Sequence, residues 1–308
     1  MTRLKDVTLR QLQIFDSASR TLSFSRTSEA LHLTQPAISM QMKQLEDLAG
    51  LPLFERIGRR LHLTQAGEEL ARHAREVLRT VEQADDALSA LRGLQGGRIR
   101  VGVTSTAKYF APKLISLFAK RHPEVVIRLS VANREEVVAA LAANEVDLAI
   151  MGRAPEAFET VASEFADHPF VVVAAPDHPL ARRRSVPLAA FAEEVFLVRE
   201  PGSGTRAAME RFFAEHGVEV RIGMTLGSNE TIKQAVMAGM GLSFISRHTV
   251  GLELSVGVLA VVHAPGLPVM RAWNVVRRAA KRLSPAAQAF EAFVLEEGKA
   301  FLRSWPPR

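Results

Sequence analysis

Residues 24–46 read FSRTSEALHLTQPAISMQMKQLE, a run in which apolar side chains recur at helical spacing between serines, glutamines and a proline. Thr34 can cap a helix that starts at the next residue, and Pro36 is tolerated in its first turn, where a missing N–H does no harm. The stretch therefore predicts two short helices joined by a tight turn near Leu33. The apolar residues that would form their core are Ala30, Leu31 and Leu33 in the first helix, and Ile38, Met42 and Leu45 in the second.

Polar side chains cover the start and the outer side of the second predicted helix. In a helix-turn-helix the second helix enters the major groove, and its N-terminal residues contact base edges. Glutamine can bond adenine through two hydrogen bonds, whereas serine and lysine can reach phosphates or base acceptors. The alternative is an ordinary solvated helix. We favour a DNA-contacting helix, with Thr34, Gln35, Pro36, Ser39, Gln41 and Lys43 as candidate contact residues.

The segment that follows, GLPLFERIGRRLHLTQAG at residues 50–67, predicts a short hairpin beside this helix, with Gly58 at the turn. Residues 1–64 hold nine Lys and Arg against six Asp and Glu, a net charge of +3. This modest charge suffices if the cations face phosphates from one side. Arg56 has a second interpretation, as a structural ion-pair partner. The candidate phosphate-contacting cations are Arg26, Lys43, Arg56, Arg59 and Arg60.

The composition is that of an ordinary globular protein of two or three domains, with 308 residues, 47% of them hydrophobic and 23% charged. No stretch approaches the roughly 20 apolar residues of a membrane helix, and the N-terminus lacks a signal-peptide pattern. The absence of cysteine excludes disulfides and thiolate zinc sites and is compatible with a reducing compartment without proving one. The cytoplasm is the default expectation. The net charge of +6 permits a polyanionic partner without requiring one.

Residues 65–93 contain no proline and are rich in strong helix formers. Their apolar residues alternate at spacings of four and three, the pattern of a coiled-coil seam. The seam would pair with a second copy of the chain; packing on its own domain is the alternative. Gly93, Gly96 and Gly97 would end the helix as a hinge. The seam residues are Leu70, Ala74, Val77, Val81, Ala84, Leu88 and Leu91.

After the hinge, strand patterns alternate with helix patterns, which predicts an α/β fold with a parallel sheet covered on both faces. The first set of strands is RIRVGVTST at residues 98–106, VVIRLSVAN at 125–133 and VDLAIMG at 146–152. A second set begins at residue 170 and includes VFLVREPGSGTR at 195–206. A final strand and a long helix close the chain, with Phe290, Phe293 and Val294 as core residues.

Short polar turns follow several of these strands, at the points where helices are predicted to start. Such turns direct backbone N–H groups and the positive helix end toward a crevice, which suits an anion, although a single serine or threonine there is also an ordinary helix cap. Arg206 could clamp a phosphate or carboxylate through two hydrogen bonds. The candidate anion-binding residues are Thr104, Ser105, Thr106, Gly152, Arg153, Gly202, Ser203, Gly204, Thr205, Arg206, Ser228, Asn229 and Thr231.

The N-terminal motif residues resemble the signature of the LysR-type transcriptional regulators. They are Phe24, Ala30, Leu31, residues 34–39, 45–46, Gly50, 53–54, Arg56, 63–64 and 66–67. Ser28 departs from the family, which more often has alanine there. The resemblance implies a winged helix-turn-helix over residues 1–64 and a dimerising linker helix over 65–93. It also implies an effector domain over 98–308 that resembles type 2 periplasmic binding proteins, with lobe I at about 98–166 and 268–303 and lobe II at about 167–267.

Later segments are similar to the CbbR branch, which controls Calvin-cycle carbon-fixation genes: AKYFAP at 107–112, REPGSGTR at 199–206, residues 227–250 and LSPAAQAF at 283–290. This similarity implies a small anionic effector: a phosphorylated sugar, a related metabolite or a nucleotide cofactor. A regulator of another metabolic operon remains an alternative. The implied partners are double-stranded promoter DNA and a second copy of the chain, as a homodimer or dimer of dimers. RNA polymerase is a further candidate, and no membrane is expected.

Two other classes of protein are weaker interpretations. A solute-binding protein would explain residues 98–308 but not the N-terminal motif. An enzyme would need catalytic groups in the crevice, where we find hydroxyls and an arginine but no acid–base pair. The PGSGTR segment lacks the lysine and spacing of a nucleotide-binding P-loop, and the nine histidines show no paired ligand spacing. We therefore expect no enzyme activity, no metal and no cofactor.

Overall fold

The computed structural model describes residues 4–58, 60–91 and 96–305, with the backbone alone at residues 83, 86, 87 and 89–91. The chain forms two compact units, Met1–Leu88 and Ser89–Arg308. Among the described helices, none combines the length and apolar content needed to cross a membrane.

The N-terminal unit is a helical domain with a two-stranded hairpin. Its elements after a short 3-10 helix at Leu4–Asp6 are α1 (Leu9–Thr21), α2 (Phe24–Leu31), α3 (Gln35–Ala49), β1 (Phe54–Ile57), β2 (Arg60–Leu63) and α4 (Gln65–Leu91). Helix α2 ends at Leu31 because His32 takes a left-handed conformation with φ 53°. Leu33 therefore lies in the turn, whereas the sequence pattern assigns it to the first helix.

Capping residues set where these helices begin and end. The hydroxyl of Thr34 accepts a hydrogen bond from Ala37 N, as predicted, and Gly50 ends α3 with φ 71°. Helices α1 and α3 contribute Phe15, Ile38 and Leu45 to the core, and these side chains are completely buried. Phe54, at the start of the hairpin, packs edge-on against Phe15 and a second ring, Phe24. The core thus fixes the hairpin beside α3.

The predicted apolar seam of α4 divides into two parts. Leu70 and Ala74 pack into the core of the N-terminal unit, as the alternative interpretation had it. Farther along, Val77, Val81 and Leu88 are 44%, 45% and 56% exposed. Ala84 is also exposed, whereas the side chain of Leu91 and the hinge residue Gly93 lie outside the described part of the chain. The distal seam is therefore uncovered within one chain.

The C-terminal unit consists of strands and helices in alternation. Its strands are β3 (Gly97–Thr104), β4 (Val125–Ala132), β5 (Leu148–Met151), β6 (Thr160–Ala174), β7 (Val195–Arg199), β8 (Arg221–Leu226), β9 (Ser243–Ser246), β10 (Ala260–Val262) and β11 (Val269–Arg278). Its α-helices are α5 (Ala111–Arg121), α6 (Arg134–Ala142), α7 (Gly204–Glu215), α8 (Asn229–Met237), α9 (Gly251–Ser255) and α10 (Pro285–Arg303).

The main sheet is mixed, whereas the sequence had predicted a parallel one. Its order is β10-β6-β11-β5-β3-β4, with β9 also paired to β6, and a separate pair is formed by β7 and β8. Strand β3 runs parallel to β4 and β5, but β11 runs antiparallel to both β5 and β6. The sheet is mixed because β6 already starts at Thr160, ten residues before its apolar run, and β11 pairs with this long strand in the antiparallel direction.

The two larger hydrophobic cores of this unit define two lobes. Lobe I is built around Trp273, Phe118 and Phe290, and its core also contains the predicted residues Phe293 and Val294. Lobe II is built around Phe191, Phe196 and other aromatic rings. Strand β6 contributes to both cores, so one continuous strand joins the lobes. The α/β class predicted from the sequence is confirmed.

Candidate DNA-contact face and effector cavity

Helix α3 has one buried side and one polar side. Ile38, Met42 and Leu45 point into the core. Along the other side, most of the predicted DNA-contacting residues are exposed and Gln41 is half-buried. We call this surface the recognition face: Thr34, Gln35, Pro36, Ser39, Gln41 and Lys43.

A contact from the preceding helix orients Gln35 at the start of this face. The hydroxyl of Ser25 donates to Oε1 of Gln35 at 3.2 Å. This bond leaves the glutamine amide nitrogen available as a donor, and the Thr34 cap fixes where the helix starts. The face therefore presents an oriented side chain of the kind that reads bases in a major groove.

The hairpin formed by β1 and β2 carries exposed arginines. In its register Arg56 pairs with Leu61, and Arg60 pairs with Ile57. Both arginines are exposed, as are Arg26 and Lys43, and none of these four cations has an ion pair within the described residues. The interpretation of Arg56 as an ion-pair partner is thus not supported. Arg59 lies outside the described residues.

The carboxylate of Glu46 connects α3 to the start of the hairpin. Its Oε1 accepts hydrogen bonds from the backbone N–H of Leu53 at 2.8 Å and of Phe54 at 3.2 Å. Charge-assisted bonds of this kind are stronger than neutral ones. Glu46 therefore ties the position of the hairpin to the helix that carries the recognition face.

The C-terminal unit contains a cavity of about 690 Å³, which we call the inter-lobe cavity. Segments that follow four strands open into it: the turn after β3, the start of α6 after β4, the turn after β5, and the turn after β7. Most of the predicted anion-binding residues line it. They are Thr104, Ser105, Thr106, Gly152, Arg153, Gly202, Ser203, Gly204, Thr205 and Arg206.

The other three predicted residues do not line the inter-lobe cavity. Ser228 caps α8 by accepting a hydrogen bond from Glu230 N at 3.2 Å, and Thr231 is exposed. Asn229 is buried and reaches the turn after β3 through its side chain, because its Nδ2 donates to the backbone oxygen of Ser105 at 3.4 Å. The start of α6 thus lines the cavity in place of the predicted start of α8.

Arg199 joins the lobes beneath the cavity, although the sequence had not singled it out. This residue ends β7 and is only 2% exposed. Its Nη1 donates to Oδ1 of Asn229 at 2.6 Å and to Oγ of Ser105 at 3.1 Å. A neighbouring carboxylate, Glu200, accepts two further bonds at 2.7 and 2.8 Å. The buried charge is therefore fully paired, as burial requires.

At the rim, the lobes approach each other closely at Gly202. A Cβ atom there would lie 2.4 Å from Oε2 of Glu135, and the glycine has φ 82°, a conformation that side chains disfavour. The backbone N–H of Glu135 donates to the Gly202 oxygen at 3.3 Å. The left-handed backbone at Gly202 therefore favours glycine where the start of α6 meets the turn after β7.

The N-terminus of α7 is open toward the cavity. Ser203 is the N-cap residue, yet its side chain makes no capping hydrogen bond. The first N–H groups of a helix have no partner within it, and the helix dipole adds positive charge there. Because Ser203, Gly204 and Thr205 line the cavity, this helix end is suited to hold an anion.

The charged side chains of the lining are mostly cationic, with five arginines and three glutamates. Burial lowers the pKa of Arg134, and repulsion from Arg153 lowers it further. For Arg271, burial lowers the pKa and the nearby Arg211 and Arg153 add to the effect. An anion in the cavity would relieve this repulsion. The charged lining residues are Arg134, Arg153, Arg206, Arg211, Arg271, Glu135, Glu156 and Glu210.

Two glutamates already engage lining arginines. Arg206 Nε donates to Oε1 of Glu210 at 2.7 Å, and its Nη1 donates to the backbone oxygen of Arg199 at 3.3 Å. Arg153 pairs with Glu156. These contacts hold the two predicted arginines in place at the cavity, and they leave part of each guanidinium for a ligand.

Several lining residues were missed because no local pattern marks them. Arg134 is the first residue of α6, two residues after β4 ends, and this position after a strand was the available signal. Arg271 and His168 lie within strands β11 and β6, where neither motif nor spacing indicates a site. The antiparallel pairing of these two strands, with Arg271 opposite His168, brings both to the cavity.

A helix-turn-helix with a wing, followed by a two-lobed α/β unit with a cationic cavity, defines a class: transcriptional regulators that join a DNA-binding domain to a ligand-binding domain. Residues 9–68 match the "Bacterial regulatory helix-turn-helix protein, lysR family", and residues 92–299 match the "LysR substrate binding domain". The chain therefore belongs to the LysR family of transcriptional regulators, which are not enzymes.

Individual relatives agree with this assignment along nearly the whole chain. The RuBisCO operon transcriptional regulator of Allochromatium vinosum is 49% identical, over 94% of this chain and 96% of that protein. The regulator CbbR of Rhodospirillum rubrum is 52% identical, over 93% and 95%. The solved regulatory domain of Synechocystis CcmR, in complex with 2-PG, is 40% identical with a TM-score of 0.63, and the match covers 65% of this chain and 96% of that domain. The family resemblance predicted from the sequence is confirmed.

Proposed function

We propose that this LysR-family regulator binds the promoters of carbon-fixation genes and that a small anionic metabolite in the inter-lobe cavity changes this binding. In this proposal residues 1–64 bind DNA, 65–93 form a dimerising linker and 98–308 bind the effector. The relatives named as RuBisCO operon and CbbR regulators support the choice of target genes. A regulator of another operon is the alternative.

The observation that carries the effector proposal is the uncapped N-terminus of α7 within a cationic cavity. The Ser203 side chain makes no capping bond, and five arginines surround the same space. Helix N-termini and arginines are the two protein features that most often hold phosphates and carboxylates. The 2-PG complex of Synechocystis CcmR supports the same ligand class, since 2-PG is a small anion.

The DNA-binding proposal rests on the recognition face and on the unpaired cations of the hairpin. A dimer would place two such faces on an interrupted palindrome. The exposed distal seam of α4, with Val77, Val81 and Leu88, supports pairing with a second copy because apolar side chains at this spacing are stabilised by burial against a partner helix.

Two measurements on the full chain test the proposal. In gel shifts with a carbon-fixation promoter and with an unrelated promoter of equal length, binding should favour the former and weaken steeply as salt rises. In thermal unfolding, phosphate esters such as 2-phosphoglycolate and 3-phosphoglycerate should raise the melting temperature of the C-terminal unit by mass action. Equal binding to both promoters would contradict the assignment to carbon-fixation genes and favour a regulator of another operon. No shift with any phosphate ester would contradict the anionic effector.

A further inference from the structure

The geometry points to His168 as a specificity-determining residue that, together with Thr205, hydrogen-bonds a hydroxyl group on the effector. This inference rests on the proposed effector function and specifies its ligand: a small phosphate or carboxylate compound that also carries a free hydroxyl. The arginines would hold the anionic group, and the two neutral side chains would select the hydroxyl.

His168 lines the inter-lobe cavity but is held from behind. Its Nε2 shares a hydrogen bond with Ser246 Oγ at 3.0 Å, and its ring stacks on Trp273 with centroids 3.7 Å apart. The other ring nitrogen, Nδ1, is buried and has no hydrogen-bond partner within the described residues. The side chain is 3% exposed. A fixed ring with one unpaired nitrogen at a ligand cavity is costly unless a ligand pairs with it.

Gly152 leaves space beside this nitrogen at the lining of the cavity. A Cβ atom on Gly152 would lie 3.0 Å from Nδ1 of His168, and both residues line the cavity. Any larger residue at this position would crowd the ring edge that carries the unpaired nitrogen. Glycine at residue 152 is therefore explained by the space that the His168 ring needs, and not by the backbone conformation of a turn.

Thr205 provides the second unpaired atom. It lies in the first turn of α7, lines the same cavity and is 3% exposed. Its Oγ1 is buried and has no hydrogen-bond partner within the described residues. A threonine that faced away from a ligand would more commonly bond a backbone oxygen of its own helix. The two residues that carry these unpaired atoms thus line the same cavity.

The two groups suit a hydroxyl better than a charged oxygen. Burial lowers the pKa of His168 well below its usual value, and His248 and Arg271 lower it further, so the imidazole is neutral. A neutral imidazole nitrogen is a donor in one tautomer and an acceptor in the other, and threonine can also do both. A hydroxyl complements either arrangement, whereas the lining arginines can only donate. The neutral pair therefore adds a recognition element that the arginines lack.

Calorimetric titration of the full chain with a matched pair of probes tests the inference. The probes are 3-phosphoglycerate and 3-phosphonooxypropanoate, which differ only in the hydroxyl. The wild type should bind the hydroxylated probe about 10- to 100-fold more tightly, because the deoxy probe leaves buried groups unpaired. His168→Gln places a polar group near Nε2 and none near Nδ1, whereas His168→Asn does the reverse. We expect the preference to vanish in the glutamine variant and to survive in the asparagine variant.

A second pair of variants, at Thr205, tests the inference independently in case the His168 variants fold poorly. Thr205→Val should reduce the preference several-fold, and Thr205→Ser should retain it. Equal affinity of the wild type for both probes, or an undiminished preference in both His168→Gln and Thr205→Val, would overturn the inference and leave the anionic effector site intact. Failure of the wild type to bind either probe would overturn the anionic effector site as well.

Discussion

The guanidinium of Arg199 in lobe II donates to the hydroxyl of Ser105 in lobe I, at 3.1 Å from each of its terminal nitrogens. Ser105 stands between Thr104 and Thr106, and all three line the inter-lobe cavity. The residue that connects the lobes therefore touches the same turn that faces the ligand. A ligand held by this turn would lie next to a contact between the lobes, which is the arrangement that couples ligand binding to a shift between conformations.

Replacing Arg199 should destabilise the C-terminal unit. Arg199→Met leaves the side chains of Asn229 and Ser105 without their buried partner, so we expect the free energy of unfolding to fall by about 3–5 kcal/mol. Both tryptophans of the chain, Trp273 and Trp305, lie in this unit, so their fluorescence in urea follows it alone. The exposed Arg182→Met serves as the control and should change stability by less than about 0.5 kcal/mol. Equal effects of the two variants would contradict a connecting role.

Replacing Gln35 should weaken discrimination between DNA sequences. We expect Gln35→Ala to reduce the preference for operator over random DNA by about 1–3 kcal/mol, because base contacts carry specificity and phosphate contacts do not. Gln44→Ala is the matched control, since Gln44 is an exposed glutamine nine residues farther along α3, on the opposite side of the helix. Competitive gel shifts measure both. Equal loss on operator and random DNA would argue against base contact by Gln35.

Replacing Glu46 should loosen the hairpin without unfolding the domain. In Glu46→Ala, the amide groups of Leu53 and Phe54 lose their acceptor, and we expect their hydrogen exchange to become about 10- to 100-fold faster. The neighbouring Asp47 is exposed, and Asp47→Ala should leave this exchange unchanged. Amide exchange by NMR resolves the two positions. Unchanged protection in Glu46→Ala would show that the core alone holds the hairpin.

A charge on the distal seam of α4 should weaken self-association. Val81 is 45% exposed in a single chain, and Val81→Glu would bring two like charges together between paired helices. We expect the dissociation constant of the dimer to rise at least about tenfold in analytical ultracentrifugation. Thr80→Glu adds the same charge one residue away, off the seam, and should have a much smaller effect. A dimer that tolerates Val81→Glu would place the pairing surface elsewhere.

Removing the Arg206 side chain should impair the response to the effector. Arg206→Ala deletes a cavity arginine that Glu210 holds in position, so we expect the affinity for 3-phosphoglycerate to fall about 10- to 100-fold. DNA binding measured without the probe should remain unchanged. Arg184→Ala, on an exposed loop, is the charge-matched control. An unchanged titration in Arg206→Ala would exclude this residue from the anion site.

Local patterns were sufficient wherever a residue acts within its own element. The Thr34 cap, the Gly50 helix end, the buried side of α3 and the aromatic core of α10 follow from helical periodicity and capping chemistry. Local patterns failed where a residue acts through a distant strand. The length of β6 and the antiparallel return of β11 were not predicted, because the polar first half of β6 is held by pairing with β11 along one edge and has no continuous apolar run.

The sequence by itself determined the family, the helix-turn-helix, the α/β class and ten of the residues that line the cavity, because each follows from spacing along a single helix, strand or turn. Only the tertiary structure decided that the start of α6, and not the start of α8, lines the cavity. It also decided that Arg199 connects the lobes and that Arg271 lies opposite His168. These contacts join residues far apart in the chain. Arg271 and His168 meet because of the register of two antiparallel strands, and no local pattern specifies that register.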